Sequence, residues 1–314
     1  MTTLVFPGQG SQYVGMGKDF YDNFEVAKNI FNLVEECTNI KVKDIIFENK
    51  DKLLDIKKYT QLCTYTTSIA IFEVFSEVFK KTSLFNINYV LGHSLGEYSA
   101  LTASKCISIR DCVKLLKIRG ELMQNAYPEN ESGMAAIIGL TCQSVEKIID
   151  NNLINVEIAN DNSPTQVVIS GVMDDLKNSE EFFIKNGAKK IVYLNVSSAF
   201  HSKIMKKAEE KMKISLAEIN FNNPIYSVIS NYSSTSSKDK FVIFQNLSKQ
   251  MSNRVKWVDS IRLLESNNEK NIIEIGPGKT LTGIIKRISK NFNHFNINDI
   301  KDIDLINNAI QFKK

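Results

Sequence analysis

The pattern of apolar and polar positions along the chain predicts strands that are each followed by a helix. Residues 4–6 form a short apolar run that predicts a strand, and residues 18–80 follow a mostly helical pattern. Residues 88–91 predict a buried strand that ends at a glycine, and helices are predicted over 95–103 and 109–126. Strand, tight turn and helix repeated in this order indicate an α/β fold with a mainly parallel sheet.

Residues 127–196 show a different order of elements and predict a small subdomain. The pattern predicts a strand at 134–140, a helix at 141–151, strands at 156–159 and 166–170 joined by a turn at 161–164, a helix at 174–185 and a strand at 190–196. The order β-α-β-β-α-β is that of the ferredoxin-like split unit. We therefore predict a ferredoxin-like subdomain at 127–196, inserted into a core formed by 1–126 and 197–314.

The pattern of the core resumes after this subdomain. Helices are predicted at 209–216 and near 241–250, and strands at 225–230 and 271–275. Residues 233–238 predict a polar loop.

Composition narrows the class of protein. The 314 residues are 43% hydrophobic and 24% charged, as in globular proteins, and the net charge of +4 is too small and too scattered for a nucleic-acid surface. No uninterrupted apolar run reaches the ~18 residues of a membrane span, and no basic segment precedes the first apolar run as in a signal peptide. The five cysteines include no Cys-x-x-Cys pair, so reduced thiols are expected rather than disulfides or a zinc site. We therefore expect a cytoplasmic protein.

The strongest chemical signal is the sequence Gly-His-Ser-Leu-Gly at residues 92–96. It stands between a predicted strand and a predicted helix, which is the context of a nucleophile elbow. The sharp turn would raise the Ser94 hydroxyl to the end of the sheet, and the helix that begins at Leu95 would direct free N–H groups to an oxyanion beside it. The alternative is a plain Gly-Ser turn, and the flanking strand and helix favour the nucleophile.

A serine nucleophile needs a base, and the chain contains three histidines. His93 adjoins Ser94 but should point away across the sharp turn, and His294 lies in a polar, asparagine-rich segment. His201 follows the last strand of the small subdomain, at a junction between domains where clefts form. Elimination selects His201 as the base, with a surface histidine as the alternative. No aspartate or glutamate stands out as the third member of a triad.

Arg119 is centred on the apolar face of the predicted helix 109–126. A buried arginine is unfavourable unless an anion meets it. That anion is either an internal carboxylate or the carboxylate of a substrate, which a planar guanidinium binds through two parallel hydrogen bonds. The sequence leaves both possibilities open.

Two glycine-containing turns resemble nucleotide-binding loops but lack a required residue. The turn at 7–12 is followed by Tyr13 where a dinucleotide fingerprint needs glycine or alanine, and the turn at 276–280 is preceded by Ile273 where a phosphate loop needs glycine. We expect the first turn to direct a backbone N–H to the same oxyanion as Leu95. The second predicts a turn from strand to helix.

Together these segments resemble the malonyl-CoA:acyl carrier protein transacylase family of bacterial type II fatty acid synthesis, over nearly the whole chain. The resemblance rests on segments that follow one another in the family's order, namely residues 6–12, 92–98, 119–120, 159–160, 199–202, 250 with 255–257, and 274–278. One departure is Ser198, where related polyketide acyltransferases of the malonyl type often carry histidine before Ala-Phe-His. The family fold is a hydrolase-like α/β core with an inserted ferredoxin-like subdomain, in agreement with the pattern above.

The resemblance implies a role for each matching residue. Ser94 would be acylated, and His201 would act as its base, with the imidazole held by the backbone carbonyl of Gln250. Gln9 and Leu95 would supply the N–H groups of the oxyanion hole. Arg119 would bind the malonyl carboxylate, and Asn160 would lie in the cleft near His201. Separately from the resemblance, we expect Phe200 to bind substrate beside the base and to crowd a 2-methyl branch.

The implied reaction transfers malonyl from malonyl-CoA to the phosphopantetheine thiol of holo acyl carrier protein, through a seryl-malonyl intermediate, and supplies fatty acid elongation. It needs no metal and no bound cofactor, and it involves neither nucleic acid nor membrane. A freestanding acyltransferase of a polyketide synthase has the same site and stays open as an alternative. A serine esterase would need a triad acid and would leave Arg119 unexplained. An inactive carrier-binding module would not need Ser94, His201 and Arg119.

Overall fold

The computed structural model describes residues 1–79 and 86–311, so residue 80 of the predicted helical stretch and residues 312–314 of the predicted core lie outside the described residues. Its strands are β1 (Thr2–Phe6), β2 (Ile87–Gly92), β3 (Ser132–Ile138), β4 (Glu157–Ser163), β5 (Gln166–Val172), β6 (Lys190–Tyr193), β7 (Ser227–Ile229), β8 (Ser236–Ser237), β9 (Asn271–Ile275) and β10 (Asn293–Ile297). Its α-helices are α1 (Lys18–Asn23), α2 (Glu25–Thr38), α3 (Val42–Phe47), α4 (Lys57–Phe79), α5 (Leu95–Ala103), α6 (Ile109–Gln124), α7 (Cys142–Asn152), α8 (Met173–Lys185), α9 (Lys206–Ala217), α10 (Lys240–Leu247), α11 (Trp257–Ser266), α12 (Thr280–Ile288) and α13 (Ile300–Gln311).

The larger sheet has the strand order β10-β9-β1-β2-β7-β8. Its pairs are parallel except the pair of β7 with the two-residue strand β8. Successive residues of β1 enter different parts of the core: Leu4 and Phe6 pack in one apolar cluster, and Val5 packs in another with Trp257 of α11. Because both faces of the sheet are covered, residues 4–6 of β1 are all apolar instead of alternating between apolar and polar.

The smaller sheet has the order β4-β5-β3-β6, and each strand is antiparallel to its neighbours. Helix α7 connects β3 to β4, and α8 connects β5 to β6. This order and these connections are those of the ferredoxin-like unit. The α/β fold class with its additional small sheet is therefore confirmed. The limits 127–196 of the subdomain stay a prediction.

The pattern was wrong or silent at a few elements. The turn at 161–164 is wrong, because β4 continues to Ser163 and pairs with β5. The loop at 233–238 contains the short strand β8. The pattern did not predict α11, β10 or α13. His294 lies in strand β10 and not in an irregular segment. The pattern did not predict this half-buried edge strand because most of its residues are polar.

Helix α4 is a long apolar helix in the core. Over Lys58–Phe79 it is long and apolar enough to cross a membrane by length and composition, with a mean hydropathy of 1.2. Polar residues interrupt its apolar positions, so it contains no uninterrupted apolar run of that length. Since 78% of its apolar window is buried inside the structure, α4 is weak evidence for a membrane span. Its described neighbours include α2, α5 and α6.

Candidate active site

The turn between β2 and α5 holds Ser94 in a strained conformation. Ser94 has φ 52° and ψ −103°, outside the regions that L-residues favour. A Cβ atom on Gly92 would lie 2.0 Å from the carbonyl of Gly96, and one on Gly96 would lie 2.1 Å from the Phe6 oxygen. Only glycine at both positions lets β1, β2 and α5 approach this closely. The sequence therefore produces the sharp turn of a nucleophile elbow.

Ser94 and His201 lie within hydrogen-bond distance although they are distant in sequence. Ser94 Oγ is 2.8 Å from His201 Nε2. His201 Nδ1 is 3.0 Å from the carbonyl oxygen of Gln250 and 3.1 Å from that of Asn253. The carbonyl of Gln250 is the one that the sequence resemblance implied, and the second carbonyl, from Asn253, was not anticipated. His201 itself has φ 57°, so both residues of the pair adopt strained backbone conformations.

The surroundings of His201 fix its protonation. Carbonyl oxygens only accept hydrogen bonds, so Nδ1 carries the proton and Nε2 presents a lone pair to the Ser94 hydroxyl. Burial and the positive charge of Arg119 lower the pKa of His201 to about 3. The imidazole is therefore neutral near pH 7 and able to accept a proton from Ser94.

The backbone N–H groups of Gln9 and Leu95 have no hydrogen-bond partner among the described residues. Gln9 lies in the turn after β1, and Leu95 is the first residue of α5. Within residues 1–79 and 86–311, no hydrogen bond uses the N–H of either residue. The N–H of Ser94, by contrast, donates to Asn231 Oδ1 at 2.6 Å. The oxyanion role of Gln9 and Leu95 stays a prediction that this geometry permits.

Arg119 of α6 is fully buried and its guanidinium reaches the Ser94 hydroxyl. Its Nη2 donates to Ser94 Oγ at 3.1 Å and to Gln250 Oε1 at 2.9 Å. Its Nη1 donates to Gln61 Oε1 at 2.5 Å, and its Cζ lies 5.3 Å from the ring centroid of Tyr98. None of the ion pairs among the described residues involves Arg119. Of the two possibilities left open by the sequence, an internal carboxylate paired with Arg119 is not observed there.

Several residues that shape the site had no role in the sequence analysis. Asn231 follows β7, and its side chain joins the Ser94 N–H to the Gly92 carbonyl, with Nδ2 donating at 2.7 Å. Gln61 belongs to a set of polar residues that are buried on α4, namely Thr60, Gln61, Thr64, Thr66, Thr67 and Ser68. A run of polar residues in a helix that is buried on all sides is a sequence signal that could have identified Gln61. No comparable signal marks Asn231, because it lies in a loop.

The remaining predicted residues are less closely connected to the reacting atoms. Asn160 is buried in β4, where its backbone forms a bridge with Val255, and no described hydrogen bond joins its side chain to His201. Phe200 is buried directly before His201, and its carbonyl accepts from Ser170 Oγ. The substrate-binding roles of Asn160 and Phe200 stay predictions.

The other two histidines do not contact the Ser94 hydroxyl in the described hydrogen bonds. His93 Nε2 lies 2.8 Å from Asn162 Oδ1, and its ring is near Trp257, so it points away from the Ser94 hydroxyl as expected. His294 lies on the edge strand β10, and neither of its ring nitrogens has a hydrogen-bond partner in the part of the chain that the structure describes.

Comparisons with known proteins show the family to which the chain belongs. The acyl transferase domain family matches residues 3–311. The chain is 37% identical over 316 residues to the malonyl CoA-acyl carrier protein transacylase of Bacillus subtilis (strain 168), covering 99% of this chain and 96% of that protein. An acyl carrier protein S-malonyltransferase structure from Vibrio cholerae has a TM-score of 0.92 and 34% identity, covering 97% of this chain and 99% of that one.

A second solved structure is a malonyl-transacylase in complex with a type II PKS acyl-carrier protein. It has a TM-score of 0.92 and 31% identity, covering 98% of this chain and 99% of that one. These similarities confirm the resemblance that the sequence segments indicated. With a match along almost its whole length, the chain belongs to the acyl transferase domain family.

Proposed function

We propose that this chain is an acyl-carrier-protein S-malonyltransferase. It transfers malonyl from malonyl-CoA to the phosphopantetheine thiol of holo acyl carrier protein in the cytoplasm, supplying fatty acid elongation. The observation that carries the proposal is the position of Arg119, whose buried guanidinium lies 3.1 Å from the nucleophile oxygen without a carboxylate partner. Such a group beside an acylated serine selects an acyl chain that ends in a carboxylate.

The first half-reaction acylates Ser94. His201 Nε2 accepts the hydroxyl proton as Ser94 Oγ attacks the thioester carbonyl of malonyl-CoA. The carbonyl oxygen becomes an oxyanion between the N–H groups of Gln9 and Leu95. The carbon–sulfur bond then breaks, His201 returns the proton to the sulfur, and coenzyme A leaves.

The second half-reaction repeats these steps with a new thiol. The phosphopantetheine thiol gives its proton to His201 and attacks the malonyl ester. The carbon–oxygen bond to Ser94 breaks, and Ser94 Oγ recovers the proton. All the proposed steps use side chains and backbone of this chain, and malonyl-CoA enters as a substrate rather than a cofactor.

The carbonyls that hold His201 replace the acid of a hydrolase triad. Two neutral acceptors fix the imidazole tautomer without placing a carboxylate beside it. This arrangement disfavours the hypothesis that the chain is a serine esterase, because an esterase requires a triad acid and gives Arg119 no role. The idle carrier-binding module is disfavoured because Ser94 and His201 are already in reacting geometry.

An acyltransferase that serves a polyketide synthase is the second candidate. The solved malonyl-transacylase that binds a type II PKS acyl-carrier protein is as similar in fold as the Vibrio cholerae enzyme. Both candidates use the same acylation chemistry, so they differ only in the carrier protein. Rates of transfer to a fatty acid carrier and to a polyketide carrier separate them.

The test of the proposed function is intact-mass analysis after mixing with malonyl-CoA. We expect one malonyl adduct on the wild type, located on Ser94 by peptide mapping. Added holo acyl carrier protein should remove it. Ser94→Ala should carry no adduct, and labelling of this variant at the wild-type level would refute the assignment of the nucleophile.

A further inference from the structure

Glu97 is a buried carboxyl group that the proposed reaction does not use. It lies in the first turn of α5, three residues after Ser94, and is only 2% exposed. Its Oε2 accepts from Gln250 Nε2 at 2.7 Å and from the backbone N–H of Asn231 at 3.3 Å. Glu97 therefore contacts Asn231 and Gln250, the two residues whose side chains hydrogen-bond the backbone of Ser94. Burying a carboxyl group is unfavourable, so its presence here needs a structural or functional reason.

The side-chain amide of Gln250 is held in one orientation by its partners. Nε2 donates one hydrogen to Glu97 Oε2 and the other to the Ser94 carbonyl, at 2.9 Å. Oε1 faces the opposite way and accepts from Arg119 Nη2. Reversing the amide would place N–H against N–H at Arg119 and oxygen against oxygen at the Ser94 carbonyl and at the ionised carboxylate of Glu97. Only the observed orientation offers Arg119 an acceptor.

The charged group that faces Glu97 is Arg119, from α6. From the loop after β7, Ser230 and Asn231 face it with neutral groups, and Gln250 does so from the segment after α10. Burial raises the pKa of Glu97 to about 7, while hydrogen bonds from Gln250, Asn231 and Ser230 oppose this increase. Glu97 is connected to Arg119 through one neutral amide and not by a direct ion pair, so the guanidinium keeps donors free for a substrate.

We propose that Glu97 is a positioning residue for malonyl recognition: by holding the Nε2 end of Gln250, it turns Oε1 towards Arg119 and keeps the guanidinium beside Ser94. This inference rests on the proposed function. Glu97 touches neither the substrate nor the reacting atoms, and it acts through the amide of Gln250. Losing it should therefore weaken recognition of the malonyl carboxylate more than acylation itself.

The experiment compares malonyl-CoA with acetyl-CoA in single-turnover acylation of Ser94, followed by intact mass. Glu97→Met fills the space without an acceptor, Glu97→Ala leaves it empty, and Glu97→Gln restores an acceptor oxygen without the charge. Glu269→Met is the matched control, because Glu269 is equally buried and binds Thr3 Oγ and Asn88 Nδ2 at the other end of the sheet. Thermal unfolding of each variant measures the loss of stability separately.

We expect Glu97→Met and Glu97→Ala to lower kcat/KM for malonyl-CoA by about tenfold to a hundredfold, the range that loss of one charged hydrogen bond produces. The change should appear mainly as a higher KM, because the guanidinium holds the carboxylate in the ground state and the transition state alike. Acetyl-CoA should change by less than about threefold, and Glu97→Gln should recover most of the malonyl rate. Glu269→Met should lose stability but keep the wild-type ratio of malonyl to acetyl.

A double-mutant cycle tests whether Glu97 acts through Gln250. In a Gln250→Leu background, Glu97→Met should change the malonyl-to-acetyl ratio no further, because the amide that Glu97 orients is gone. Additive effects, or equal losses for malonyl and acetyl, would overturn the role of Glu97. Neither result would contradict the proposed function, because wild-type Ser94 would still accept malonyl. If wild-type Ser94 acquires no malonyl group at all, the proposed function itself fails, and the inference fails with it.

Discussion

Replacing Arg119 with alanine tests how this protein selects its acyl group. The guanidinium is fully buried, and its hydrogen-bond acceptors are the neutral oxygens of Gln61, Gln250 and Ser94. When Ser94 is acylated, its oxygen becomes part of an ester, and a malonyl carboxylate can take the Nη2 donor that pointed at the hydroxyl. Arg119→Ala removes this donor and the only buried positive charge that the described structure places at Ser94.

The expected loss of malonyl transfer follows from the burial of the pair formed by the Arg119 guanidinium and the malonyl carboxylate. Truncating one partner of a buried, hydrogen-bonded charge pair costs about 2–5 kcal/mol. At about 1.4 kcal/mol per decade, malonyl transfer should fall by roughly one and a half to three and a half decades. Acetyl transfer should fall much less or rise, because an acetyl group leaves the wild-type guanidinium unpaired. The malonyl-to-acetyl ratio of kcat/KM should therefore collapse.

The assay is competition between malonyl-CoA and acetyl-CoA for Ser94, with the two adducts separated by mass. Arg110→Ala is the matched control: Arg110 lies on the same helix α6 and pairs with Glu36 at the surface, with side chains 56% and 67% exposed. A surface pair of this kind contributes little, so the control should keep the wild-type ratio. If Arg119→Ala lowers malonyl and acetyl transfer equally, Arg119 has a structural role and carboxylate recognition is wrong.

Three further predictions concern the base and the acyl pocket. His201→Ala should abolish detectable acylation within the assay time while His294→Ala keeps the wild-type rate, and equal rates would show that another group is the base. Phe200→Ser should raise methylmalonyl-CoA relative to malonyl-CoA in the same competition assay, by a smaller factor than Arg119→Ala, because it only removes a steric clash; an unchanged ratio would place Phe200 outside the acyl pocket. Because the pKa of His201 is about 3 in the folded state against an ordinary value of 6.5, the unfolded state binds more protons and stability should fall as pH drops below 6.5. Urea unfolding should show a larger loss between pH 7 and pH 5 for wild type than for His201→Phe, and equal losses would contradict the buried, neutral imidazole.

The sequence by itself located most of the elements and the sharp turn that carries Ser94. Continuous apolar runs and helical periodicity located β1, β2, α5 and most of the small subdomain, because buried strands and amphipathic helices leave local signatures. The elbow at residues 92–96 was readable because close approach of β1, β2 and α5 requires glycine at two fixed positions. His201 could be selected because the chain contains so few histidines.

The tertiary structure decided which groups surround Ser94. Asn231, Gln61 and Gln250 come from three distant parts of the chain, and they meet because β2 pairs with β7 and α4 packs on α6. An amide side chain has no periodicity that marks its role, so its orientation depends on partners that only the folded chain brings near. The buried position of Arg119 follows from the helix pattern in the sequence. Its hydrogen-bond partners, and the absence of a carboxylate among the described ones, depend on packing between elements that are distant in sequence.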